Sequence, residues 1–172
     1  MKRDFLKLVK SLEDEELREE LKVLYERFPA VREYYQMELS PNTQKLLAKY
    51  KKAVRKAFFP SRGRRMGKRG RSESRKAIKE FATISIHSRD IIELKLYRVA
   101  VMIEAISYFR VVNESFHDSI VKSFAQVCAE AEKEVMLDTF RSNITELVVA
   151  FEQEKRLPWF SLEETYAKYW EE

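Results

Sequence analysis

The chain has 172 residues, of which 45% are apolar and 12% aromatic, and this composition excludes a wholly disordered protein because it supplies enough apolar surface for a core. Its single cysteine, Cys128, excludes an internal disulfide framework, and its 3 glycines and 4 prolines disfavour a sheet protein rich in turns. The net charge of +5 is modest, so the distribution of charge along the chain is more informative than its sum.

The N-terminal segment carries charges at Lys2, Arg3 and Asp4, and no apolar run approaches the ~20 residues that span a bilayer. The sequence therefore predicts a protein with neither a signal peptide nor a membrane span. Together with the single cysteine, these features favour a cytoplasmic location.

Apolar residues recur at helical spacing along most of the chain, and no stretch alternates clearly enough to predict a strand. Two short helices are expected before Pro29, the second starting near a capping box formed by Ser11 and Asp14, and a third follows Pro29. The next predicted helix begins near Pro41 and ends at Pro60.

The longest apolar pattern predicts a buried central helix from about 89 to 112, because apolar residues surround most of its circumference. Asn113 is the predicted N-cap of the following helix. A slip in phase near 135–137 predicts a break, and a turn at 157–160 precedes the last helix. The sequence thus predicts an all-α, single-domain antiparallel array of eight or nine helices over residues 1–172.

Positive charge is concentrated between residues 41 and 76, where fourteen of the 33 basic residues occur with a single acidic residue, Glu73. This segment carries +13, whereas residues 1–40 carry −2 and residues 77–172 carry −6. Its second half, 60–73, is rich in arginine and glycine and nearly devoid of apolar side chains. We therefore expect residues 60–73 to form a protruding, poorly ordered loop.

The lysines of the helix before this loop recur at steps of four, three and four, which places them in one stripe along the helix. Guanidinium and ammonium groups neutralise phosphates, and glycine keeps an arginine-rich segment adaptable. The leading hypothesis is therefore non-enzymatic binding of DNA or RNA by charge, without sequence specificity. The predicted phosphate contacts are Lys45, Lys49, Lys52, Lys56, Arg62, Arg64, Arg65, Lys68, Arg69 and Arg71.

Basic segments also serve other purposes, so two alternatives stay open. In one, the segment meets an acidic protein or the acidic surface of a second copy of this chain, which makes the protein an interaction module or a homo-oligomer. In the other, Glu114 and His117 belong to a metal-dependent helical enzyme, because Glu-x-x-His spacing puts a carboxylate and an imidazole on one helix face. A di-iron site needs a second such motif, which the sequence lacks, so we predict no cofactor and no catalytic residue.

Three charges, Glu93, Arg98 and Glu104, interrupt the long apolar helix. Buried charges are usually paired, so we expect salt bridges to neighbouring helices, with a polar pocket as the alternative. Cys128 lies on the apolar stripe of its own helix and is predicted to be a packing residue rather than a nucleophile.

Five short motifs follow one another in a characteristic order along most of the chain. They are Leu24-Tyr25-Glu26-Arg27-Phe28, Phe59-Pro60-Ser61-Arg62, Lys76-Ala77-Ile78-Lys79-Glu80-Phe81, Glu114-Ser115-Phe116-His117-Asp118-Ser119 and Leu137-Asp138-Thr139-Phe140. Together they resemble a family of small bacterial proteins whose function is unknown. The resemblance implies an all-helical, bacterial, cytoplasmic protein, and it implies no activity.

Overall fold

The structure is a computed structural model that describes residues 1–39, 43–61 and 65–170, apart from the side chain of Met37. All regular structure in these residues is helical, so the protein is all-α, as the sequence predicts. The nine helices found there are α1 (Lys2–Ser11), α2 (Asp14–Arg27), α3 (Pro29–Leu39), α4 (Gln44–Phe58), α5 (Gly70–Ile84), α6 (Ser88–Phe109), α7 (Glu114–Lys133), α8 (Leu137–Glu154) and α9 (Glu163–Trp170). Within the described ranges, none of these helices combines the length and the apolar character that crossing a membrane requires.

Two compact units, Met1–Thr43 and Gln44–Glu172, divide the chain, where the sequence analysis expects one domain. In the first unit α2 packs on α3, and neither α1 nor α2 contains a buried residue. Every buried apolar side chain among the described residues belongs to the second unit. The hydrophobic core of the protein is therefore built by α4 to α9.

Helix α2 begins at Asp14, one residue after its N-cap Glu13, and not at the predicted capping box of Ser11. The backbone N–H of Glu13 donates to a carboxylate oxygen of Glu16 at 2.9 Å. Because α1 continues through Ser11, the hydroxyl of that residue donates instead to the carbonyl of Leu8 within α1.

Helix α6 contacts α4, α5, α7 and α8 and carries eleven buried residues. It ends at Phe109, three residues before the predicted end at 112, because Arg110 adopts the left-handed conformation with φ 52° and ψ 48°. From this turn the N–H of Val111 donates to the carbonyl of Ile106 at 3.1 Å. The antiparallel order of the helices around α6 stays a prediction.

Helix α7 begins where the sequence predicts, since Asn113 Oδ1 accepts a hydrogen bond from the N–H of Phe116 at 2.9 Å. The predicted break near 135–137 is also present, because α7 ends at Lys133 and α8 begins at Leu137. Val135 turns the chain there with a left-handed φ of 57°.

Helix α5 begins at Gly70, so residues 70–73 of the predicted 60–73 loop form its first turn. Neither Ser72 nor Ser74 caps this helix, because their hydroxyls donate to the carbonyls of Arg69 and Arg71. The middle of the predicted loop, residues 62–64, lies outside the described residues.

Residues 67–70, which lead into α5, are held in place by close contacts with α4. The N–H of Gly67 donates to the carbonyl of Phe58 at 3.1 Å, and a Cβ added to Gly67 would lie 2.1 Å from the carbonyl oxygen of Ala57. Gly70 is similarly confined, since its added Cβ would lie 2.7 Å from Cδ1 of Phe58. These tertiary contacts, rather than a local cap, determine where the helix starts.

Candidate anion-binding sites

The lysine stripe of α4 consists of Lys45, Lys49, Lys52 and Lys56, and all four side chains are exposed. At 100° per residue they occupy the side of the helix opposite to its buried residues, which are Leu47, Tyr50, Val54, Ala57 and Phe58. With a rise of 1.5 Å per residue, the stripe is about 16 Å long. The structure thus brings the four predicted lysines together on one solvent-facing surface.

The other two cations of the same helix, Lys51 and Arg55, are used to join α4 to α6. Nζ of Lys51 lies 2.5 Å from Glu93, and the guanidinium of Arg55 donates to both carboxylate oxygens of Glu104 at 2.5 and 2.6 Å. The hydrogen bond from Arg55 to Glu104 also raises the pKa of the arginine. The predicted salt bridges of Glu93 and Glu104 to a neighbouring helix are therefore confirmed.

The remaining predicted phosphate contacts differ among themselves. Arg65, Lys68 and Arg69 are exposed, whereas Arg62 and Arg64 lie outside the described residues. Arg71 differs from this group because it is half-buried. Its Nη1 donates to the carbonyl oxygen and to the hydroxyl of Ser115, on α7, at 2.8 and 2.9 Å. Arg71 therefore belongs to a different site from the exposed cations, a pocket on another part of the second unit.

This pocket of about 350 Å³ lies between α5, α6 and α7. We call it the α5–α6–α7 pocket and define it by Arg71 and Arg75 from α5, Arg98 from α6, and Ser119 and Ser123 from α7. Two further cations line it, each with an acidic partner: Lys95 pairs with Glu130 and Lys122 with Asp118. Cations thus outnumber acids in the pocket lining. Of the described residues that line it, Asp118 is the only acidic one.

Arg98 forms the floor of this pocket and is only 4% exposed. Its Nε donates to Ser74 Oγ at 2.9 Å and its Nη1 donates to Ser123 Oγ at 2.8 Å. Its Nη2 is buried and has no hydrogen-bond partner in the described part of the chain. Arg98 therefore does not form the salt bridge that the sequence analysis expects of a buried charge.

The surroundings of Arg98 disfavour its positive charge. Burial, followed by the charges of Arg75 and Arg71, lowers the pKa of Arg98 to about 10. The group stays cationic at neutral pH, since that value is well above 7. Three guanidinium groups thus line the same pocket, and the positive charges of Arg71 and Arg75 act on Arg98.

His117 has a structural role within the core. It is fully buried, and its Nε2 accepts a hydrogen bond from the N–H of Arg156 at 3.3 Å. Its Nδ1 therefore carries the proton and donates to the carbonyl of Asn113 at 3.0 Å. Both ring nitrogens are occupied, while the acidic residue of the Glu-x-x-His motif, Glu114, is exposed. This geometry leaves no imidazole nitrogen for a metal ion.

No group of three or more potential metal ligands occurs within residues 1–39, 43–61 and 65–170. The carboxylates of Glu93 and Glu104 on α6 pair with Lys51 and Arg55. Cys128 is fully buried in the core, as predicted, and burial raises the pKa of its thiol to about 12.

A polar pocket at Arg98 is the alternative that the sequence offers to a salt bridge, but its walls on α5 and α7 are not predicted, although part of them has a visible pattern. Ser115, Ser119 and Ser123 recur every four residues and therefore share one face of α7, and Arg71 and Arg75 are related in the same way on α5. What the sequence does not reveal is that these two faces meet across Arg98.

A family model described as "Family of unknown function (DUF6155)" matches residues 1–166, and the chain belongs to that family. This confirms the expected membership of a family without a known function. No curated protein and no solved structure shows a significant match.

Proposed function

We propose that this member of a family of unknown function binds nucleic acid through the phosphate backbone. The binding surface is the lysine stripe of α4, extended by Arg65, Lys68 and Arg69. One observation carries the proposal: Lys51 and Arg55 of α4 form salt bridges to α6, whereas Lys45, Lys52 and Lys56 of the same helix are exposed and form none with the described residues.

The contrast between these two groups of cations supports a role in binding. Lys51 and Arg55 pair with carboxylates of α6 and so contribute to the fold. Lys45, Lys52 and Lys56 are exposed, and no carboxylate of the described residues lies within ion-pairing distance of them. Like charges at this spacing repel one another and slightly destabilise the helix, so a polyanion that neutralises them would stabilise it.

The length of the stripe suits duplex nucleic acid. Double-stranded DNA presents one phosphate per ~1.7 Å of its axis, so a stripe of about 16 Å passes several phosphates. No aromatic side chain among the described residues between 44 and 69 is classed as exposed, which favours electrostatic contact over base stacking. We therefore expect affinity that depends on salt and hardly on sequence.

Fluorescent duplex DNA and single-stranded RNA, titrated at increasing salt, test the proposal. The test variant replaces Lys45, Lys49, Lys52 and Lys56 with Gln. Loss of four phosphate contacts should reduce the slope of log K against log salt by about 3.6 on duplex DNA.

A matched control removes the same charge elsewhere in the second unit. Lys79, Lys133, Arg141 and Lys168 are all exposed and lie on other helices, and their replacement with Gln should leave most of the slope intact. Equal losses for the two variants would mean that only net charge matters, which would refute a defined surface on α4.

Self-association is a second candidate, favoured by the exposed apolar side chains of the first unit. Phe5, Leu8 and Leu21 are 59%, 54% and 49% exposed, although residues of this kind normally pack in a core. The same unit carries a net charge of −2, opposite to that of the basic segment. In this alternative, acidic α2 of one copy meets the cationic stripe of another.

Sedimentation at low and high salt, without nucleic acid, distinguishes this alternative. A dimer that dissociates at high salt and is abolished by the fourfold stripe variant would favour self-association. A monomer at all salt concentrations would leave the stripe available for nucleic acid.

A further inference from the structure

We propose that the α5–α6–α7 pocket binds the phosphate group of a small phosphomonoester. This inference goes beyond nucleic-acid binding, because the pocket lies among α5, α6 and α7 and includes no residue of the α4 stripe. The ligand would be a dianion whose oxygens accept hydrogen bonds from Arg71 and Arg75, with Arg98 behind them.

The three arginines of this pocket lack a countercharge among the described residues. No carboxylate in the described residues pairs with Arg71, Arg75 or Arg98. A buried cation without an acidic partner is costly, and proteins normally neutralise such a group. A bound dianion would supply the missing negative charge in the pocket that all three guanidinium groups line.

Two serine hydroxyls preorganise Arg98. Ser123 Oγ donates to the carbonyl of Ser119 at 2.6 Å and Ser74 Oγ donates to that of Arg71 at 3.3 Å, so both hydroxyls are left to accept from Arg98. These bonds fix the plane of the guanidinium. A cation is thus held rigidly in the wall of a pocket, with Nη2 unpartnered, before any ligand arrives.

Several guanidinium N–H donors of Arg71 and Arg75 remain available to a ligand in the pocket. Arg75 is exposed and uses only Nε, which donates to the carbonyl of Arg71 at 3.1 Å. Its Nη1 and Nη2 have no partner among the described residues. Arg71 keeps its Nη2, since both of its hydrogen bonds to Ser115 come from Nη1. Planar pairs of donors of this kind match the oxygens of a phosphate group.

The volume of the pocket indicates whether its ligand is a bare phosphate ion or a larger phosphate-bearing molecule. A volume of about 350 Å³ lies at the lower end of the range for small-molecule sites, which is roughly 300–1,000 Å³. Ile78 and Val127 contribute apolar surface next to the arginines. The pocket therefore has room for a phosphate group together with the organic part that carries it.

Isothermal titration tests the proposal directly, with inorganic phosphate and adenosine 5′-monophosphate as probes and chloride used to hold ionic strength constant. The wild-type protein should bind one equivalent of each. Arg75→Gln should weaken binding about tenfold or more, because it removes a charge-assisted contact.

Lys79→Gln is the matched control, since it removes one positive charge from an exposed position of the same helix and does not line the pocket. It should bind both probes as the wild type does, and so should the fourfold stripe variant. Equal weakening by Arg75→Gln and Lys79→Gln would overturn the proposal, as would the absence of binding at millimolar probe concentrations.

Two further arms separate the pocket from a nucleic-acid surface. Adenosine, which lacks the phosphate, should not bind, and a dinucleotide with only an internal phosphodiester should bind more weakly than adenosine 5′-monophosphate. A dinucleotide that binds as tightly, and is lost in Arg75→Gln, would make the pocket part of a nucleic-acid surface and overturn the monoester site. Arg98→Lys, which keeps the charge but removes the guanidinium plane, should also weaken binding; if this variant does not fold, Arg75→Gln still decides.

Discussion

Arg55 and Glu104 form a two-pronged ion pair, with hydrogen bonds of 2.5 and 2.6 Å, that connects α4 to α6. The same guanidinium lies 4.9 Å from the ring centroid of Phe59. Arg55 therefore contributes to the packing of α4 on α6. The next residue in the sequence, Lys56, is exposed and belongs to the lysine stripe that we propose binds a ligand.

The Arg55–Glu104 pair should contribute little to stability and should not contribute to nucleic-acid binding. Both side chains are nearly half exposed, so solvent screens the pair, and Glu104→Gln should lower the free energy of unfolding by about 0.5–1 kcal/mol. Binding of DNA should be unchanged or slightly tighter, because the substitution releases Arg55. Urea unfolding and a salt titration measure the two effects, and weaker DNA binding by Glu104→Gln would contradict the division of roles.

His117→Ala should destabilise the protein by about 2–4 kcal/mol, because it opens a cavity and leaves the N–H of Arg156 without its acceptor. Glu114→Ala, at an exposed position of the same motif, should change stability by no more than about 0.5 kcal/mol. Urea unfolding of both variants, with metal analysis of the purified wild type, tests the structural role. Stoichiometric metal that is lost in both variants would restore the metal-site hypothesis.

Gly67→Ala should cost at least about 2 kcal/mol, because the new methyl group would meet the carbonyl oxygen of Ala57 at 2.1 Å and the backbone would have to move. Ser72→Ala, a nearby exposed substitution, provides the control and should have a much smaller effect. Thermal or urea unfolding compares them. A Gly67→Ala protein as stable as the wild type would contradict the close approach of this segment to α4.

Cys128 should be inert in the folded protein. Burial raises the pKa of its thiol from an ordinary value of 9.0 to about 12, so the folded chain holds almost no thiolate at pH 8. A chromogenic disulfide reagent should therefore react with it only after unfolding in urea.

The same raised pKa makes stability depend on pH above 9. Below pH 9 the thiol is neutral in both states, and its contribution to stability is fully present. Between pH 9 and 12 the unfolded chain ionises while the folded chain does not, so that contribution is lost at up to about 1.4 kcal/mol per pH unit. Cys128→Ala lacks the thiol, and an unchanged pH dependence in that variant would refute the assignment.

Local signals predicted those parts of the fold that local interactions determine. Asn113 caps α7 because its side chain accepts a hydrogen bond from a nearby backbone N–H. Such a cap can be predicted from the sequence, because asparagine is a preferred residue just before the first turn of a helix. The end of α6 escaped prediction because Arg110, rather than a glycine, takes the left-handed turn. The start of α5 escaped it because Gly67 and Gly70 act through contacts with α4, not through helical spacing.

The two cationic surfaces differ in the same way. The α4 stripe repeats along one helix, so periodicity alone predicted it. The pocket joins Arg75, Arg98 and Ser123, which come from three helices and are separated by more than twenty residues at each step. No pattern within one helix shows that these three residues meet. The salt bridge expected of Arg98 rested on the general tendency of buried charges to pair with opposite charges, whereas Arg98 is bound by two serine hydroxyls.

The left-handed φ of 57° at Val135, between α7 and α8, has a practical consequence. A β-branched residue is strained in that conformation by roughly 1–2 kcal/mol, and this one is 91% exposed, so it contributes little packing in return. Val135→Gly should therefore raise the melting temperature by about 2–4 °C. Such a protein would be a more tolerant background in which damaging substitutions of Arg98 or His117 can be studied while the chain still folds.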